Sequence, residues 1–225
     1  MINYSDNNLI KLAGTIVSDK VYSHEVYGER FYSFDLEVPR LSENNDIIPV
    51  TLSERLLIDS EYNIGEKVVI DGQFRSYNNY ESEKNKLVLT VFVKEIRLQT
   101  EEDANINPNE IVLNGFICKK PIYRTTPFGR EIADILLAVN RAYNKSDYIP
   151  CIAWGRNARY CQNLTIGENA KIWGRIQSRQ YEKKFEDGTS EMRRAYEVSI
   201  SKMEIERAED VKAEESEECS EEQNA

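Results

Sequence analysis

A chain of 225 residues fits two domains of about 100 residues each, and its net charge of −10, taken whole, argues against a nucleic-acid binder. Its four cysteines form no C-x-x-C pair and it has a single histidine, His24, in a Tyr/Glu-rich stretch that reads as a solvated loop, so neither a metal site nor a disulfide framework is indicated. The start of the chain has no basic and apolar leader, and no run of 18 apolar residues occurs, which predicts a reduced, cytoplasmic protein with no membrane span.

The chain repeats itself. Asp46-Ile47-Ile48-Pro49 returns as Asp147-Tyr148-Ile149-Pro150, and Ile64-Gly65-Glu66 as Ile166-Gly167-Glu168. Gly72 and Ser76 return as Gly174 and Ser178 inside Ile172–Ser178, and Ala13-Gly14-Thr15-Ile16 as Asn114-Gly115-Phe116-Ile117. A fixed period of this kind sets the architecture before any other signal. In the first copy, short alternating runs of Val, Ile, Tyr and Phe predict strands near Leu9–Lys20, Glu29–Val38, Asp46–Leu52, Lys67–Tyr77 and Leu87–Leu98. In the second they predict strands near Glu110–Lys120, Arg130–Asn140, Asp147–Trp154, Asn169–Tyr181 and Arg193–Glu204. Helical pattern is confined to Glu54–Tyr62 and Asn157–Gln162, each between the third and fourth strands. The expectation is an all-β chain of two tandem OB-fold barrels, with five strands and one short helix each.

The organisation that follows is OB domain 1 over 1–99, a polar linker over 100–108, OB domain 2 over 109–207, and an acidic, disordered tail over 208–225. Charge is divided unevenly among them. Residues 1–100 carry −5, 101–108 carry −3, 109–207 carry +5 and 208–225 carry −7. Asymmetry of that kind points to nucleic-acid contact in one half and an acidic tail.

The second copy concentrates cations and aromatics on one sheet face. Strand alternation puts Lys171, Trp173, Arg175, Gln177, Arg179 and Tyr181 on one side and Ile172, Gly174, Ile176, Ser178 and Gln180 on the other. Tyr148, Pro150, Ile152 and Trp154 likewise share a face, with Tyr148 and Trp154 roughly 20 Å apart. Bases stack on such aromatics while Arg and Lys neutralise phosphates, a sequence-tolerant mode of holding a single strand. The first copy lacks the set. Asp71 stands for Trp173, Ile47 for Tyr148 and Ser53 for Trp154, which suggests scaffolding or pairing.

Through Asn114-Gly115, the run Ile135–Tyr143, the run Asp147–Ala158 and the run Ile172–Tyr181, the second copy resembles the bacterial single-stranded DNA-binding protein family. The resemblance implies base stacking at Tyr143, Tyr148, Trp154 and Tyr181 and basic contacts at Arg156, Arg175 and Arg179. With Lys171 and Trp173 from the alternation, these are the candidate nucleic-acid-binding residues. The resemblance also implies an assembly of four OB domains, hence a homodimer of this two-domain chain. The acidic tail departs from the family pattern: it closes on Glu222-Gln223-Asn224-Ala225, without an apolar tip for docking protein partners.

The expected function is coating of single-stranded DNA in replication, recombination or repair, without catalysis, cofactor or metal. The alternatives are a single-stranded RNA-binding OB protein, since stacking accepts either backbone, and an assembly subunit that binds protein alone. The sequence has no nucleophile–His arrangement and no Gly-x4-Gly-Lys loop for an enzyme.

Overall fold

The computed structural model describes residues 7–40, 42, 44–58, 60–79, 86–185 and 188–206. The tail expected over 208–225 lies outside them. Strands run β1 (Asn8–Ile16), β2 (Val21–Val26), β3 (Glu29–Pro39), β4 (Asn45–Ser53), β5 (Lys67–Asn79) and β6 (Lys86–Leu98) in the first barrel. The second has β7 (Asn109–Ile117), β8 (Ile122–Thr125), β9 (Glu131–Arg141), β10 (Lys145–Trp154), β11 (Asn169–Lys184) and β12 (Ser190–Glu206). In each barrel the sheet is closed by a parallel pairing of the fourth strand with the sixth, β4–β6 and β10–β12, and an antiparallel pairing of the first with the third, β1–β3 and β7–β9. Both are OB folds.

Three details differ from the sequence expectation. Each barrel has a sixth strand, β2 or β8, hairpinned onto the third. β2 is exposed along its whole length, so it carries no alternation to read. The expected helix at Glu54–Tyr62 is a single 3-10 turn, Glu54–Leu57, and that at Asn157–Gln162 is a six-residue helix α1, Arg156–Cys161. The stretch between the barrels is ordered by Asp103. Its carboxylate accepts from Arg97 at 2.5 and 2.7 Å and from the Thr100 N–H at 2.8 Å, which fixes a 3-10 turn over Glu101–Asn105.

Alternation buries Ile10, Leu12, Phe34, Leu36, Val50 and Phe74 in barrel one, and Ile111, Leu113, Ile135, Leu137, Ile149 and Ile176 in barrel two, within one continuous apolar cluster. The cluster is continuous because β1 and β7 pair antiparallel across the barrels, with Ile10 opposite Ile111 at the centre, Asn8 opposite Leu113 and Leu12 opposite Asn109. Asn8 and Asn109 stand at equivalent positions of the repeat. The pairing is therefore self-complementary in the manner of a two-fold dimer, built inside one chain.

A bulge interrupts β5–β6 between Asp71 and Gly72 and β11–β12 between Trp173 and Gly174. The partner strand there passes so close that a Cβ on Gly72 would lie 2.4 Å from the Phe92 carbonyl oxygen, and one on Gly174 2.2 Å from that of Ser199. Only glycine fits, which accounts for this repeated residue.

Candidate nucleic-acid interface

On the outer face of barrel two, cross-strand pairing sets Asp134 (β9), Ile152 (β10), Ser199 (β12) and Arg175 (β11) in one transverse row. Trp154 leans onto this row: its indole N–H donates to Ser199 Oγ at 3.2 Å, which fixes the ring's orientation and leaves the residue 37% exposed. Tyr148 is 46% exposed and Tyr181, on the β11 side, 37%. Tyr143 sits at the tip of the β9–β10 hairpin, 94% exposed, where it and Asn144 have φ of 62° and 54°. A left-handed pair there is what a tight hairpin demands, and it throws the Tyr143 ring outward.

The cations interleave with these rings. Arg179 lies 5.7 Å from the Tyr181 centroid, and its guanidinium is 3.9 Å from Glu197. Arg156 opens α1, exposed. Lys171 and Lys202 stand 5.2 and 4.5 Å from the Trp173 centroid. Trp173 is thus a half-buried ring carrying two ammonium groups, while Tyr148 and Trp154 are more open to a base. Cation–π contact with Lys is worth about 0.5–1 kcal/mol at exposed sites. Among the described residues no group of three His, Cys, Asp or Glu is arranged to hold a metal ion.

Residues 108–206 match the single-strand binding protein family. That match spans the second barrel. Single-stranded DNA-binding protein 1 of Staphylococcus aureus (strain COL) is 42% identical over 81 residues, 33% of this chain and 48% of that protein. Single-stranded DNA-binding protein A of Bacillus subtilis (strain 168) is 40% identical over 81 residues, 33% of this chain and 47% of that protein. The chain spans about half the length of the curated relatives it matches. The crystal structure of wild-type single-stranded DNA binding protein from Thermus aquaticus covers 89% of this chain and 93% of its own, with a TM-score of 0.68 at 18% identity. That likeness of fold extends over both barrels.

Beside barrel two, barrel one carries a patch that sequence reasoning did not assemble. His24 lies on β2, not in a loop, and stacks on Phe31 at 4.9 Å and 9°. Phe31 tilts against Phe92 at 5.6 Å, and the Arg75 guanidinium lies 3.8 Å over Phe92. Phe92 has the parity of the outer face of β6, the one signal by which it could have been found. Barrel two has Ser199 at the equivalent place: Phe92 pairs with Gln73 and Thr51, as Ser199 pairs with Arg175 and Ile152.

Proposed function

We propose that the chain binds and coats single-stranded DNA with little regard to sequence, in replication, recombination or repair, and does so chiefly through barrel two. The observation that carries this reading is the set of exposed rings at Tyr148, Trp154 and Tyr181 with Lys171, Arg175 and Arg179 on the strands of barrel two, and Arg156 at the start of α1. A strand laid on it stacks bases on the rings and trades counterions for the cations. The names of the relatives, all single-stranded DNA-binding proteins, support the same substrate. Barrel one serves mainly as the built-in partner of barrel two, and two chains pair to give four OB domains. The protein acts by binding rather than by catalysis, in the cytoplasm.

Fluorescence titration with oligo-dT tests the reading. Stacking quenches the emission of Trp154, and the breakpoint gives nucleotides per chain. Absence of quenching and of any retained oligonucleotide at low salt would overturn it. Competition by oligo-U at equal strength would move the assignment to RNA.

A further inference from the structure

The junction of the barrels holds a cleft of about 410 Å³ lined by Arg40 of barrel one, Asn107 of the linker, and Arg175, Ser199 and Ser201 of barrel two. That volume falls in the range of small-molecule sites, about 300–1,000 Å³. The cleft exists because barrel two has small residues here. In barrel one the corresponding space is taken by the Phe92 ring with Arg75 laid on it. Lys94 occupies the bulged position there that Ser201 occupies here.

Two guanidiniums meet one carboxylate in this junction. Asp46 is fully buried and engaged by Arg40 at 2.5 and 2.7 Å. Its Oδ1 also accepts from the Ser178 N–H and Oγ at 2.6 and 3.1 Å. Arg175 is left with long contacts, 3.4 Å to Asp46 Oδ2 and 3.4 Å to Gln177 Oε1, although a guanidinium offers five N–H donors. Burial first, and then the charge of Arg40, hold Arg175 below the ordinary guanidinium range against the pull of Asp46. A second anion would relieve that repulsion and give Arg175 a closer partner than its 3.4 Å contacts. The lip of the cleft is Ser199, whose hydroxyl is bonded to the indole of Trp154.

We propose that this cleft is a phosphodiester site shared by the two barrels, in which Arg40 and Arg175 hold one backbone phosphate of a single strand whose neighbouring base stacks on Trp154. It rests on the reading of barrel two as a single-stranded DNA-binding surface and adds to it a cation from barrel one. Arg40 keeps its Nε and Nη2 on Asp46 and the Ser178 carbonyl and offers the phosphate its Nη1, while Arg175, held only by long contacts, offers its own donors. One phosphate contact on a single strand contributes ~0.7 to the salt dependence of binding.

The test uses the full chain and oligo-dT, with tryptophan quenching and the Arg40 and Arg175 Nε–Hε resonances followed together. Both resonances are expected to shift in step with quenching. Ser201→Glu, on an exposed bulge, is expected to weaken binding about tenfold and to lower the salt slope by ~0.7, whereas Ser201→Lys, which copies Lys94, raises it by a similar amount. Quenching with both arginine resonances unmoved and both variants like wild type would overturn the shared site while leaving the DNA-binding reading intact. Absence of quenching in wild type would sink that reading itself. A shift produced fully by inorganic phosphate alone at equal ionic strength, with no further change on adding oligo-dT, would make the cleft a free-phosphate site and overturn the proposal.

Discussion

Asp46 of barrel one accepts the backbone N–H of Ser178 of barrel two at 2.6 Å, and the repeat returns the contact: Asp147 of barrel two accepts that of Ser76 of barrel one at 2.8 Å. The hydroxyls answer. Ser178 Oγ accepts from the Ile47 N–H at 3.2 Å and Ser76 Oγ from the Tyr148 N–H at 2.7 Å. The residues most visibly duplicated in the sequence therefore clasp one barrel to the other. The two clasps are not equally well made. Arg40 meets Asp46 bidentately, whereas Arg141, the equivalent residue, is 3.5 Å from Asp147. There Arg141 Nε and Asp147 Oδ2 are buried without a hydrogen-bond partner.

Unequal clasps predict unequal costs of removal. Asp46→Ala strands two guanidiniums at the junction and is expected to cost about 3–5 kcal/mol, the range for breaking a buried ion pair by deleting one partner. Asp147→Ala removes a longer pair and a carboxylate oxygen that had no partner, so its cost is smaller. Urea unfolding midpoints at constant slope measure both. A larger loss at Asp147 would contradict this account of the clasp.

Two aspartates give opposite pH dependences. Hydrogen bonds from Arg97, then Thr100, hold the Asp103 carboxyl below the usual carboxylate range. Its contribution to stability is therefore present above the unfolded value of about 3.9 and lost as pH falls through the folded value. Burial raises Asp147 above its ordinary value, against the Ser76 N–H and the charges of Arg141 and Arg75. The native state then favours its protonated form, and this penalty on the ionised form grows as pH rises from about 4. Asp103→Asn should accordingly lose stability relative to wild type at neutral pH and approach it in strong acid. Asp147→Asn should improve relative to wild type as pH rises through the acid range. Unfolding curves taken between acid and neutral pH check both signs.

Truncating the open rings should weaken binding more than truncating the covered one. Trp154→Ala and Tyr148→Ala are each expected to cost about 1–3 kcal/mol of affinity for oligo-dT. Trp173, with Lys171 and Lys202 against its ring, should lose less on substitution by Ala. Anisotropy titrations at fixed salt would show it, and equal losses at all three positions would mean that the lysines move aside to admit a base.

Thiol reactivity should follow burial. Cys151 and Cys161 are buried and Cys118 is half-buried. Burial pushes the Cys161 thiol up to about 11 and that of Cys151 higher still, so neither supplies thiolate at neutral pH. In a Cys219→Ser background, native labelling should modify Cys118 first, and Cys151 and Cys161 only on unfolding. Mass spectrometry of labelled peptides reads the order.

The repeat and the period-two alternation made both barrels legible, because Ile172 and Ile176, or Phe34 and Leu36, must face a core. What escaped were relations set by a distant strand. β2 hides because Val21–Val26 has no buried side. Trp173 looked open because Lys202, which covers it, arrives 29 residues later through the pairing of β11 with β12. Arg75 and Gln73 in barrel one, and Arg175 and Gln177 in barrel two, are the same pair in opposite order. No local pattern shows that one arginine lies on Phe92 while the other faces a cleft.

Residues 208–225 carry −7 and the segment over 109–207 carries +5, so the tail is expected to act as a tethered competitor for the cations proposed to meet DNA. Competition of this kind is electrostatic and fades as added salt shortens the Debye length from about 30 Å at 0.01 M to about 8 Å at 0.15 M. Deleting 208–225 is expected to raise affinity for oligo-dT at low salt, with the two proteins converging as salt rises. Because the tail raises the cost of weak complexes most, the gain should be larger for short oligonucleotides than for those long enough to occupy Tyr148, Trp154 and Tyr181 together. Parallel titrations of the truncated and full chains across a salt series measure it, and identical affinities at low salt would rule the competition out.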